Sequence, residues 1–236
     1  MQYLTELHCH TQEVSPCANN PTEDTAERFI AAGYSTLVVT DHYCDHVIDN
    51  AGDTWEEKIA HYLSGYRKMK EYAKGRLNVL LGCELRFLEN FNDYLVYGMD
   101  EEFLLAHPNL HHMTLKSFSA FAKEHGLLLI QAHPFRKRMT VIDPLLLDGI
   151  EVFNGHRGHD SRNQLADMYA RRYGLLRSSG SDFHHPDSVT AGGIITDEPL
   201  TSVAQIIDTL RRGDCTLRCT GPAAELDGMK DMPAKY

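Results

Sequence analysis

The 236-residue chain has no CxxC pair, no internal repeat and no low-complexity segment. No apolar run nears the roughly 18 residues of a membrane-spanning helix, so no membrane partner is expected. The opening Met1–Glu6 lacks the basic and apolar regions of a secretory signal. The six cysteines, Cys9, Cys17, Cys44, Cys83, Cys215 and Cys219, form no dense framework. They read as reduced thiols, and the expected compartment is the cytoplasm. Excess basic charge is also missing: 23 Lys and Arg against 33 Asp and Glu leave a net −10. Binding along a phosphate backbone needs a basic face, so groove-bound nucleic acid is disfavoured. With 42% hydrophobic and 24% charged residues, the composition is that of a globular protein. The length suits a single domain over residues 1–236. What the chain has in quantity is histidine, 14 residues, and imidazole is the commonest metal ligand.

A cadence runs along the chain. Five helical stretches each stop at a glycine, and an apolar strand-like run follows each one. The first starts with Thr22 as N-cap, presents Ala26, Phe29 and Ile30, and stops at Gly33. The second presents Trp55, Ile59, Tyr62, Tyr66, Met69 and Ala73 and stops at Gly75. The others stop at Gly126, Gly174 and Gly213. Apolar residues three and four apart share one helix face, and a glycine just past the end supplies a left-handed cap. The runs that follow are Ser35–Thr40, Leu77–Leu81, Leu127–Gln131, Leu175–Ser179 and Cys215–Cys219. Tyr3–Leu7, Tyr94–Tyr97 and Gly149–Phe153 are further strand candidates. Strands alternating with helices predict an α/β fold around a parallel sheet.

Polar residues follow the strands. The exits read His8-Cys9-His10-Thr11, Thr40-Asp41-His42, Gly82-Cys83-Glu84, Ala132-His133-Pro134, Glu151 to Asn154-Gly155, and Gly180-Ser181-Asp182-Phe183-His184. In parallel α/β folds ligands bind at the carboxyl ends of strands. Residues i and i+2 of an extended segment face the same way, so His8 pairs with His10 and Asp182 with His184. Imidazole and carboxylate together suit Zn, Mn or Fe. Seven such groups exceed one tetrahedral site. They predict two or three divalent ions, with Glu84 as a bridging carboxylate.

This ordered set, from HxHT at His8–Thr11 to GSDFH at Gly180–His184, resembles the PHP (polymerase and histidinol phosphatase) family of metal-dependent phosphoesterases. The resemblance implies a distorted seven-stranded, TIM-like β/α barrel with metal ions in its mouth. It assigns His8, His10, Glu84 and Asp182 to one ion, Glu84 and His133 to a second, and His42 and His184 to a third. Two departures stand out. Where many members place a His or Asp after the HxH, this chain has Ser15-Pro16, leaving Glu13, Cys17, an anion or water to complete the third site. The His often found after the glutamate is absent, and Asp93 is the candidate in its place. Asp93 precedes its strand, so that strand would have to run antiparallel, or its loop fold back. The ordinary alternative is a turn-forming aspartate.

The resemblance implies a phosphatase acting on a small phosphorylated metabolite, with a metal-bound hydroxide as nucleophile. Glu84 and Asp182 would orient the ions. Arg136 is the candidate phosphate contact, with Arg86 and Arg157 behind it, and Tyr97, His156 and His159 as pocket residues. Glu151 and Asn154 would orient ligands. Two other readings remain: an amidohydrolase-type C–N bond hydrolase, and a metal- or nucleotide-binding module without turnover.

Overall fold

In the computed structural model, residues 2–235 are described. The strands are β1 (Tyr3–Cys9), β2 (Tyr34–Val39), β3 (His42–Tyr43), β4 (Asn78–Leu81), β5 (Cys83–Arg86), β6 (Asp93–Tyr97), β7 (Leu128–Gln131), β8 (Gly149–Asn154), β9 (Leu176–Gly180), β10 (Ile194–Thr196), β11 (Thr216–Leu217) and β12 (Met232–Pro233). The helices are α1 (Thr22–Ala31), α2 (Asp45–Ile48), α3 (Trp55–Tyr62), α4 (Ser64–Ala73), α5 (Glu101–Ala106), α6 (Leu115–Glu124), α7 (Asn163–Tyr173), α8 (Val203–Arg212) and α9 (Gly221–Asp227). None of them is long and apolar enough to cross a membrane.

The five periodic stretches are helical, and the glycine that closes each one has a left-handed φ between 65° and 82°. Two details differ from the pattern. Thr22 is the first helical residue, with Pro21 in the cap position, because its hydroxyl is donated to Glu13. The stripe from Trp55 to Ala73 is divided at Leu63 into α3 and α4. Its Ile59, Tyr62, Met69 and Ala73 are buried all the same, as a core face requires.

The strands form two six-stranded sheets, ordered β12-β11-β10-β1-β2-β4 and β3-β5-β6-β7-β8-β9. The expected ring of seven paired strands is absent from these ladders, for a visible reason. β10 pairs antiparallel with β1 from Tyr3 to Thr5 and so takes the edge that β9 would need. A parallel bridge between Cys9 and Phe183 joins the sheets there. At their other border the sheets share chain. β2 runs on into β3 after Thr40-Asp41, and β4 into β5 after Gly82, with Gly82 N–H bonded to Val39 O and Glu84 N–H to Asp41 O. Parallel and antiparallel pairs are mixed in both sheets, and β6 is antiparallel to both β5 and β7. The strands β6 and β7 are buried throughout, as near-continuous apolar runs predict.

Candidate metal centre

His8 and His10 leave the end of β1 on one side, while Cys9 turns into a separate apolar cluster with Phe29 and Phe183. His42 opens β3 and lies opposite Glu84 of β5 in a parallel pair. His133 follows β7, Glu151 lies on β8, and Asp182 and His184 follow β9. His133 and Asp182 hold left-handed backbones, with φ of 29° and 50°, a strain typical of functional positions. Gly180 is required here: a Cβ would lie 2.4 Å from that of His8 and 2.6 Å from Glu151 Oε1.

All seven strand-end groups converge. His8 Nε2 lies 3.1 Å from His10 Nε2, 3.3 Å from Glu84 Oε1 and 3.3 Å from Asp182 Oδ1. His10 Nε2 lies 3.3 Å from Glu84 Oε2 and 3.6 Å from Asp182 Oδ1. His133 Nε2 is 3.2 Å from Glu84 Oε1, and His42 Nδ1 is 2.8 Å from Glu84 Oε2. Donors around a tetrahedral ion with bonds near 2.0–2.1 Å sit roughly 3.3 Å apart, which is the spacing seen. Glu84 Oε2 and Asp182 Oδ1 are buried without a well-formed hydrogen bond. Buried oxygens are rarely left so, and a cation between the donors would satisfy both. The residues fit divalent ions.

A second set of groups fixes the donors from behind. His8 Nδ1 meets Glu151 Oε1 at 2.9 Å. Asn154 Nδ2 donates to Glu151 Oε2 at 2.8 Å and to Asp182 Oδ2 at 3.1 Å. His10 Nδ1 meets the Ser15 hydroxyl at 2.9 Å, and that hydroxyl donates to Asp41 at 2.8 Å. Glu6, which the motifs did not flag, accepts the backbone N–H of Leu7, His8 and Ser181 and the Ser181 hydroxyl. It thereby ties the loop carrying Asp182 to β1.

The charges are mutually dependent. Burial works against ionised Glu84 and Asp182, but nearby His8, with His42 for Glu84 and His184 for Asp182, holds both well below the usual carboxylate range. Burial also disfavours protonated His8, yet Asp182, Glu151 and Glu84 raise its pKa. His10 is lowered by burial and by His184 and His42, so the two touching imidazoles do not compete for one proton site. Metal binding needs neutral imidazole.

Asp93 reaches the centre because β6 is antiparallel. Its Oδ2 lies 3.8 Å from His133 Nε2, while Arg86 grips both its oxygens at 2.6 and 2.9 Å. Arg136 lines the 470 Å³ cavity above the donors, together with Arg86, His156 and His159. Arg157 is outside it, donating to Asp187 O. Tyr97 also lies outside: it is buried, with its hydroxyl on Leu7 O. Of the candidates for the Ser15-Pro16 gap, Glu13 points away towards Lys68 at 2.7 Å, and Cys17 faces the cavity. Burial raises the Cys17 thiol, but hydrogen bonds from His184 and His42 bring it down to about 6. His46 and His185 also line the cavity. Adjacency to His184 was the one available hint for His185, and His46 had none.

This chain matches the PHP domain family over residues 6–213 and belongs to it. The 3′,5′-nucleoside bisphosphate phosphatase of Chromobacterium violaceum is 43% identical over 70 residues, covering 26% of this chain and 24% of that protein. The match thus spans about a quarter of that relative's length. A two-domain protein of Bacteroides vulgatus, described as containing a predicted PHP-like metal-dependent phosphoesterase, has a TM-score of 0.64 at 16% identity. It is matched over 93% of this chain and 65% of its own. Endonuclease Q, solved with a 27-mer duplex bearing an abasic lesion at its active site, gives 0.61 at 15% identity over 90% and 57% of the two chains. At such identities the likeness is one of fold.

Proposed function

We propose that this protein is a metal-dependent phosphoesterase that hydrolyses a small phosphorylated metabolite. The observation that carries the reading is the convergence of five imidazoles and two carboxylates on a shared volume, with two buried carboxylate oxygens lacking hydrogen bonds. In this reading His8, His10, Glu84 and Asp182 hold one divalent ion, Glu84, His133 and Asp93 a second, and His42 and His184 a third, with zinc, manganese or iron as the candidates. Such ions make hydroxide available near neutral pH and neutralise phosphoryl charge. The protein's own part is to aim the carboxylates, to orient the phosphate through the Arg136 guanidinium, and to hold His8 in one tautomer through Glu151. We also read the two sheets as one distorted barrel of seven strand positions, opened where β10 occupies the edge of β1.

The cavity and the partial relative support a compact substrate, and a nucleoside bisphosphate is the natural first member of a test panel. The net charge of −10 argues against a long nucleic acid. The C–N hydrolase reading usually needs a bridging carboxylated lysine or a glutamate; no lysine lines the cavity among the described residues, but Glu84 does, so acylated amines belong in the test.

The test is metal analysis of protein purified without chelator, then assay against nucleoside bisphosphates, sugar phosphates, an abasic duplex and acylated amines. Two or more bound ions and inorganic phosphate from the small esters are expected, with Arg136→Ala raising KM more than it lowers kcat. Metal-free protein, or turnover of the duplex or the amides alone, would overturn the reading.

A further inference from the structure

Between His10 and α1 the side chains with donor atoms include Glu13, Ser15 and Cys17. Glu13 is tied to Lys68 at 2.7 Å and to the Thr22 hydroxyl. Ser15 is fully buried, and its hydroxyl is taken by Asp41, His10 and the His42 N–H at 2.8, 2.9 and 3.0 Å. Cys17 alone reaches the cavity. Its Sγ is 3.2 Å from His42 Nε2, and His184 lines the same cavity.

The two imidazoles are prepared in the same way. His42 Nδ1 is 2.8 Å from Glu84 Oε2, and His184 Nδ1 is 3.1 Å from both Asp182 O and Asp182 Oδ1. Both imidazoles line the cavity, and His42 turns its Nε2 to the Cys17 Sγ. Sulfur and nitrogen around a tetrahedral zinc, with bonds near 2.3 and 2.0 Å, stand about 3.5 Å apart. The observed 3.2 Å needs only a small opening.

We propose that Cys17, His42 and His184 form a sulfur-containing metal subsite at the cavity rim, selective for zinc over manganese or magnesium. Resting on the metal-centre reading above, it adds a ligand and a metal preference. Thiolate is a soft donor that favours zinc, whereas manganese and magnesium prefer oxygen. Three protein donors leave a fourth position open to water or substrate, as in catalytic zinc sites. The rim ion then differs in kind from the deeper ones, whose donors are imidazole and carboxylate alone.

The probe is Co²⁺ alone, titrated into metal-free protein. Wild type should show a sulfur-to-cobalt charge-transfer band in the near ultraviolet, displaced by Zn²⁺ and not by Mn²⁺. Cys17→Ser should lose the band and one equivalent of bound zinc. Cys17→Asp should bind an ion there without the band, and its preference for zinc over manganese should fall at least as far as the roughly 10–100-fold that supporting substitutions cost. Cys215→Ser, which changes a thiol just before β11, should keep the band. A wild type without the band, a Cys17→Ser that retains it, or unchanged selectivity in Cys17→Asp would overturn the proposal. Phosphate release separates the two readings. Release without the band overturns only the rim site, and the band without release overturns only the phosphoesterase assignment.

Discussion

Around Glu84 the donors are sealed in: His8, His10, His133 and Asp182 are at most 2% exposed. The back nitrogens of His8 and His10 have named partners. On the cavity side His42 and His184 are 13% and 8% exposed, and Cys17 is exposed. The inner donors sit on or just after strands, so their aim follows from the register of β1, β5, β7 and β9. The outer set combines His42 on β3 with Cys17 in the loop after His10 and His184 in the turn after Asp182. This contrast teaches that strand register fixes the inner donors and His42, while Cys17 and His184 depend on loops that can vary with less cost to the sheets.

The most severe way to break the contrast is Glu84→Ala. Four imidazoles lie within about 3.3 Å of this carboxylate, so both inner ions should be lost and turnover should fall below detection, read by elemental analysis and phosphate release. Full metal content with unchanged activity would remove Glu84 from the centre. A milder cut is Glu151→Gln, which keeps the shape behind His8 but removes the charge. Inner-site affinity should fall roughly 10–100-fold, measured by competition with a chelating dye, and the rim cobalt band should stay. A matching fall in the rim band would show that the two halves are not separable.

The smallest effect sharpens the contrast from the side of stability. Burial raises Glu6 from 4.5 to about 7, against the opposing hydrogen bonds from Ser181 and His8. The folded pKa is therefore above the unfolded one. Its stabilising contribution is complete below 4.5 and is lost as pH rises towards 7. Glu6→Gln should match wild type in acid and exceed it above pH 7 by about 3 kcal/mol at most. Urea unfolding of the metal-free protein at both ends of that range measures it, and equal pH dependence in the two proteins would refute it.

Much of the centre was legible because its chemistry follows strand ends in chain order. HxH and DxH declare a shared face through the two-residue period of extended chain. The glycine stops were legible for a similarly local reason. What could not be read is non-local. The capture of β1's edge by β10 depends on a pairing between residues 3–5 and 194–196, and nothing in either segment announces it. Asp93 was readable as a candidate, but its access depended on the direction of β6, and its grip by Arg86 on a cross-strand register. Glu6 carried no motif, because a carboxylate that accepts four hydrogen bonds inside the protein looks in sequence like any surface acid.

The reversed direction of β6 has a consequence for how such proteins diversify. Glu84 and Asp93 lie on the two arms of one hairpin whose pairing is set from Cys83–Val96 to Arg86–Asp93. The connecting tip, residues 87–92, contains Leu88 and Phe91, which are 64% and 60% exposed. Phe87 and Asn92 anchor its two ends in the interior, with Asn92 bonded to Thr140. Between these anchors Leu88 and Phe91 can change identity while the ladder beneath keeps both acids in place, which offers evolution, or a protein engineer, two variable positions beside the cavity.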